Sequence, residues 1–409
     1  MEAELNYRFF TGNRRRLREL FTGTAPIVIT ANGQLQRSGD STYPFQQDAN
    51  FWYLTGINEP DMVLVLDKDK EYLIRQKRSE YQDVFDGQVD DRELTRRSGV
   101  EEVLGCDEGW KRLAARLKRV KHVATIAPPP QYVEVYGMYT NPARWVLTRT
   151  LREHNNKLEL LDIAPHLVKM RTVKQPPELA AIQRAIDITA DNLKQIIRPA
   201  NLKKYQYEYE AEADLTRLFR RSGSRHAFDP IVAGGPRACT LHNTNMDGAL
   251  SASELLLFDV GAESEGYAAD ISRTVAIGQP SRRQQQVFDA IKEVQSYAYT
   301  LLRPGVTMKT YEEKVEHFMG EKLRELGLIQ SIDRDAVRRY YPHATSHHLG
   351  LQVHDVSDRT APLEENMVLT VEPGIYIPEE SIGIRIEDDV RITESGVEVL
   401  SSTLPAKLV

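Results

Sequence analysis

Acidic residues interrupt apolar runs at four places in the second half of this chain, and that pattern constrains its fold and chemistry more than any other feature. Leu255-Leu-Leu-Phe-Asp259-Val-Gly-Ala reads as an apolar strand with a carboxylate inside it. A turn-rich stretch through Gly266 leads into Tyr267-Ala-Ala-Asp270-Ile-Ser-Arg-Thr-Val. Two strands joined this way can pair, so Asp259 and Asp270 can face the same side of a sheet. Met367-Val-Leu-Thr-Val-Glu372-Pro-Gly-Ile-Tyr and Ile384-Arg-Ile-Glu387-Asp-Asp-Val-Arg-Ile repeat the device with Glu372 and Glu387. Burying one carboxylate among such neighbours costs several kcal/mol unless it is paired or metal-bound, and two side by side cost more. A cation is the natural remedy.

A lone Asp near a strand end reads as a turn or capping residue. Two hairpins with acids at matched depth are a different signal, because Ser346-His347-His348-Leu-Gly-Leu lies between them, with His343 before and His354 after. Glu387 follows the alternation of Ile384 and Ile386 on a buried strand, whereas Asp388 or Asp389 reads as a solvated acidic edge. A carboxylate-dominated site with a single imidazole favours harder divalent ions such as Mn2+ over thiolate-seeking ones.

The length of 409 residues suggests two domains. Leu17, Leu20 and Phe21 mark the apolar face of an N-terminal helix, which leaves Arg14-Arg15-Arg16 mostly on its wet side. Pro26–Thr30, Phe51–Thr55 and Met62–Leu66 read as strands, and helices are expected around Glu108–Val120 and Ala143–Glu153. Residues 1–168 therefore form a mixed α/β domain. Gln175-Pro176-Pro177 opens a long amphipathic helix, since proline in a first turn forfeits no hydrogen bond. From there helices alternate with the acid-bearing strand pairs, and residues 169–409 form the second domain. The whole is α/β (α+β).

A net charge of -6 gives no pull toward nucleic acid or an anionic membrane. The apolar runs are far too short to span a bilayer. Two cysteines, Cys106 and Cys239, cannot build a disulfide framework, and the N-terminal residues lack the character of a secretory signal, so a cytoplasmic location is expected.

The segments around Asp259, Asp270, His347-His348 through His354-Asp, Val371-Glu372-Pro-Gly-Ile-Tyr and Gly383-Ile-Arg-Ile-Glu387-Asp-Asp together resemble the pita-bread metallopeptidases, and within them the aminopeptidase P family of Xaa-Pro aminopeptidases. Arg14-Arg15-Arg16-Leu17, Arg37 to Phe45 and Phe51 to Pro60 resemble the amino-terminal domain of that family. The likeness spans nearly the whole chain. It implies a pita-bread catalytic domain holding two divalent metal ions, Mn2+ foremost with Co2+ or Zn2+ as alternatives. Asp259 would chelate one ion, Asp270 and Glu387 would bridge both, and His347 and Glu372 would complete the second. A bridging hydroxide would attack the peptide bond between a first residue and a following proline, with Glu372 shuttling the proton.

By the same resemblance His242 and His354 would stabilise the tetrahedral intermediate and position the peptide. His343 matches a further family position, and His348 matches none and is left structural. Substrates would be peptides with proline second, and the chain would form homodimers or homotetramers. The family often has Asp where Asn50 precedes Phe-Trp-Tyr, which makes Asp48 a substitute to consider for holding the substrate amine. The hairpin between Glu372 and Glu387 is shorter than usual. A prolidase, which needs a cation to clamp a dipeptide's carboxylate, is the near alternative, with Arg359 the nearby candidate. A pita-bread binding protein without peptidase function is the distant one.

Overall fold

The computed structural model describes residues 4–68, 70–129 and 137–408. The chain divides into two compact units, Met1–Met170 and Arg171–Val409. The first is built on a six-stranded mixed sheet. Its strands are β1 (Ile27–Thr30), β2 (Val63–Asp67), β3 (Lys70–Arg75), β4 (Glu102–Gly105), β5 (His122–Thr125) and β6 (Glu159–Asp162), in the order β4-β3-β2-β1-β5-β6. Helices α1 (Tyr7–Leu20), α2 (Ala49–Thr55), α3 (Cys106–Leu117) and α4 (Ala143–His154) belong to this unit.

Two expectations fail here for physical reasons. Phe51–Thr55 is not a strand but the body of α2, capped by Asp48, whose carboxylate accepts the N–H groups of Asn50 and Phe51. Gly56 ends the helix in the left-handed region at φ 66°, where a Cβ would fall 2.2 Å from the Phe10 ring. A short helix buried on every side shows no period, so it reads like a buried strand. Asp48 also pairs with Arg144, which commits its carboxylate within this unit. The second failure is Arg14, which is fully buried beside Phe10 and Leu17. Its guanidinium donates to the Leu54 and Ser98 carbonyls at 2.7 and 2.9 Å and pairs with Glu71 at 2.6 Å. One face of α1 thus carries an arginine inward because a buried carboxylate and two carbonyls await it.

The second unit carries α5 (Pro176–Ile196), α6 (Glu208–Arg221), α7 (Arg282–Leu301), α8 (Met308–Glu325) and α9 (Arg334–Tyr340). Strands β7 (Ile231–Gly234), β8 (Leu255–Val260) and β9 (Ile271–Ala276) form one sheet with β8 central. Asp259 stands opposite Ser272 in the β8/β9 register. The turn between them needs Gly261, because a Cβ there would meet the Ala269 carbonyl at 1.7 Å.

The second acid-bearing hairpin is split. β10 (Val368–Val371) pairs with β13 (Asp388–Ile392), and β11 (Gly374–Ile377) pairs with β12 (Ile382–Arg385). The break falls at Glu372-Pro373 and Ile386-Glu387, since proline has no N–H to continue the ladder. Freed from that ladder, the Glu372 N–H donates to the Thr345 carbonyl at 2.8 Å and the Glu387 N–H donates to the Ser272 carbonyl at 3.1 Å. Those two bonds tie the split hairpin to the histidine segment on one side and to the first hairpin on the other. Behind it, Val287, Ile291 and Val294 of α7 pack with Leu369, Val371 and Ile375 in one apolar core.

Candidate metal centre

Asp270, His347 and Glu387 offer ligand atoms that all lie within 4.8 Å of one another. His347 Nε2 stands 3.3 Å from Asp270 and 3.5 Å from Glu372. Its Nδ1 lies 3.1 Å from the His348 carbonyl, which can only accept, so Nδ1 carries the proton and Nε2 turns a lone pair toward the acids. The Asp259 carboxyl lies against that of Asp270 closely enough to raise its pKa. All five residues expected as ligands therefore converge.

Burial first, and then neighbouring carboxylates, push Asp270, Glu372 and Glu387 well above the ordinary carboxyl range. Among the described residues, the buried Asp259 Oδ1 and Asp270 Oδ1 have no hydrogen-bond partner. Orphaned buried carboxylate oxygens beside an imidazole lone pair need a cation to balance them. The donor set, oxygen-rich with one nitrogen, fits hard divalent ions.

Reading the sequence for acids missed the groups that hold them. Arg385 donates from Nε to Ser272 Oγ at 2.8 Å and from Nη1 to the Tyr376 hydroxyl at 2.8 Å, and its Nη2 pairs with Asp259. Ser272 Oγ donates in turn to Glu387 at 2.6 Å. The signal was available, because Arg385 shares strand parity with Glu387. Asp388 and Asp389 correct the expectation of a solvated edge, since both are buried. Although burial raises its pKa, Asp388 is held below the ordinary value by Arg273 at 2.6 Å and by Ser401 and Tyr299. Asp389 faces the other way and accepts the Asp270 backbone N–H.

The remaining histidines differ in how far their rings are engaged. His343 Nδ1 donates to the Ala344 carbonyl at 2.8 Å. Its Nε2 lies 2.9 Å from the Tyr376 hydroxyl, which already accepts from Arg385 and so turns its own proton to the imidazole. Burial and then Arg385 push His343 down to about 3, and its neutral ring stands 3.7 Å from Glu372. His354 sets its ring edge-on against His347, with centroids 4.3 Å apart, and burial lowers it to about 4. The chain at His354 is held by Asp355, whose N–H donates to the His348 carbonyl at 2.8 Å and whose carboxylate meets Arg171 and Lys174. His348 is buried, and burial pushes it down to about 3. His242 is exposed on the loop after β7.

These groups open into one cavity of about 1280 Å3 whose wall includes His242, His354 and the five clustered residues. Arg359 lines it, as expected of the nearby cation, but so do Lys309, Arg334 and Arg338 from helices distant in sequence. Arg338 is engaged by Glu316.

Comparison with known proteins follows the division of the chain. Residues 180–394 match the model of metallopeptidase family M24, and residues 10–125 match that of the aminopeptidase P N-terminal domain. The chain is 33% identical to the Xaa-Pro aminopeptidase of Haemophilus influenzae, over 99% of its own length and 96% of the relative's. It is 32% identical to the Xaa-Pro aminopeptidase of Escherichia coli K12, over 99% and 97%. The solved structure of zinc-substituted E. coli aminopeptidase P in complex with product superposes with a TM-score of 0.87 at 30% identity, covering 99% of this chain and 97% of that one.

Proposed function

The chain belongs to metallopeptidase family M24, and from that premise we propose that it is an aminopeptidase releasing the first residue of peptides whose second residue is proline. The observation that carries this reading is the convergence of Asp259, Asp270, His347, Glu372 and Glu387, with orphaned buried oxygens, on the wall of a cavity far larger than a dipeptide. Those five residues would hold two divalent cations, Mn2+ before Co2+ or Zn2+. Such ions, when bound, polarise the scissile carbonyl and lower the pKa of water between them.

The chain's own residues do the rest. Arg385 and Ser272 fix the orientation of Asp259 and Glu387. Glu372, with neutral His343 at 3.7 Å, takes and returns the proton at its carboxylate. His354 and His242 present imidazole N–H groups to the cavity, where one donor aimed at a developing oxyanion contributes about 3–4 kcal/mol.

The deciding assay strips the metal with a chelator, restores Mn2+, Co2+ or Zn2+, and compares Ala-Pro-Ala with Ala-Pro. We expect Mn2+ to restore most activity and the tripeptide to have the higher kcat/KM. Arg359 on the cavity wall favours the second reading, prolidase. A dipeptide preference of about tenfold or more, erased by Arg359→Ala, would establish that reading instead. Two free thiols support a cytoplasmic location. The family resemblance supports a homodimer or homotetramer, which light scattering measures.

A further inference from the structure

We propose that Glu208 is a positioning residue for His242, clasping both ends of the segment that carries it. The inference rests on reading His242 as a peptide-contacting donor. Glu208 opens α6 and is fully buried. One of its oxygens accepts the Gly234 N–H at 2.6 Å and the Arg237 Nε–H at 2.5 Å. The other accepts the Gly248 N–H at 3.0 Å. Gly234 ends β7 ahead of His242, and Gly248 follows it, so a single carboxylate fixes entry and exit of residues 235–247.

The surrounding bonds close the clasp. The Glu208 N–H donates to the Gly248 carbonyl at 3.0 Å and the Tyr209 N–H donates to the Met246 carbonyl at 2.9 Å. Arg237 Nη2 donates to the Ala249 carbonyl at 2.9 Å. Gly248 must be glycine for this approach, since a Cβ would lie 1.8 Å from Arg237 Nε. His242 itself is exposed, and its ring makes no hydrogen bond among the described residues. Its place at the cavity is therefore set by its backbone, whose two ends the Glu208 carboxylate holds.

The chemistry requires a carboxylate. Glutamine at this position would turn an NH2 group toward one of the amide N–H groups, leaving that donor buried without an acceptor, and would remove the charge that Arg237 answers. Glu208→Gln thus opens the clasp at nearly constant volume.

The test uses the full-length, metal-loaded enzyme with Ala-Pro-Ala. Glu208→Gln is expected to lower kcat/KM about tenfold or more, leave bound metal unchanged and raise amide hydrogen exchange across residues 240–248. The double variant Glu208→Gln/His242→Ala should be no slower than His242→Ala alone. Unchanged exchange in that segment, or a double variant slowed by the product of both factors, would overturn the proposal and leave Glu208 a general support of the fold. Should Glu208→Gln not fold, Gly248→Ala attacks the same clasp from the opposite side and must give the same signature. If the parent enzyme cleaves no Xaa-Pro peptide the functional reading fails by itself, while the exchange measurement still decides whether Glu208 holds the loop.

Discussion

The backbone N–H of Asp270 donates to Oδ2 of Asp389 at 3.0 Å, so a residue two places beyond Glu387 forms the floor beneath Asp270. Burial raises the pKa of Asp389, followed by the charge of Asp270, and Asp389 Oδ1 has no partner among the described residues. A group that orients a ligand from behind commonly contributes 10–100-fold in metal affinity. Asp389→Ala is therefore expected to weaken Mn2+ binding by about that factor, read by competition with a chelator, while circular dichroism stays unchanged. Parental affinity in a folded variant would show that the contact orients nothing.

Asp270→Ala should do more. Asp270 clusters with His347 and Glu387 and interacts with Asp259, and without it the remaining acids cannot share a pair of cations. Bound metal and turnover should both disappear, turnover falling by at least about 10³-fold. Metal analysis of the purified, folded variant decides it, and two equivalents per chain with normal activity would sink the ligand assignment.

His354→Ala is expected to separate donor from ligand. The His354 ring packs edge-on against His347 and is read as a donor, so metal should stay while kcat/KM falls about 10²–10³-fold. Loss of metal in this variant would place His354 among the ligands.

The acids of the centre were legible because each interrupts an apolar run, which marks its strand as buried. What such a run does not carry is partners. Asp388 meets Arg273 across 115 positions of sequence, and nothing in Glu387-Asp388-Asp389 announces that an arginine, a tyrosine and a serine converge there. Arg14 shares its helix face with Phe10 and Leu17, but its chemical type argues for solvent until Glu71 is known to wait inside. The α2 helix escaped because its stop signal, Gly56, acts through a left-handed φ and close contact with Phe10. The misses at Asp388 and Arg14 are long-range pairings that override a local preference.

His226 gives the protein a pH dependence that can be measured away from the metal centre. Its ring is packed against Phe219, with centroids 4.8 Å apart. The Thr216 hydroxyl donates to Glu212 and so can only accept from His226 Nε2–H at 2.6 Å, which leaves Nδ1 buried and without a partner among the described residues. Glu212 at 3.8 Å and Asp229 favour the protonated ring, but burial outweighs them and the pKa lies below 6.5. Below about pH 6.5 the unfolded chain takes up a proton here that the folded chain refuses, so stability falls as pH falls through that value. The wild type should therefore lose more of its urea midpoint between pH 7.5 and 5.5 than His226→Gln does, with metal loss at low pH common to both. Equal losses would mean that His226 titrates alike in the folded and unfolded chain, and that burial does not hold it neutral.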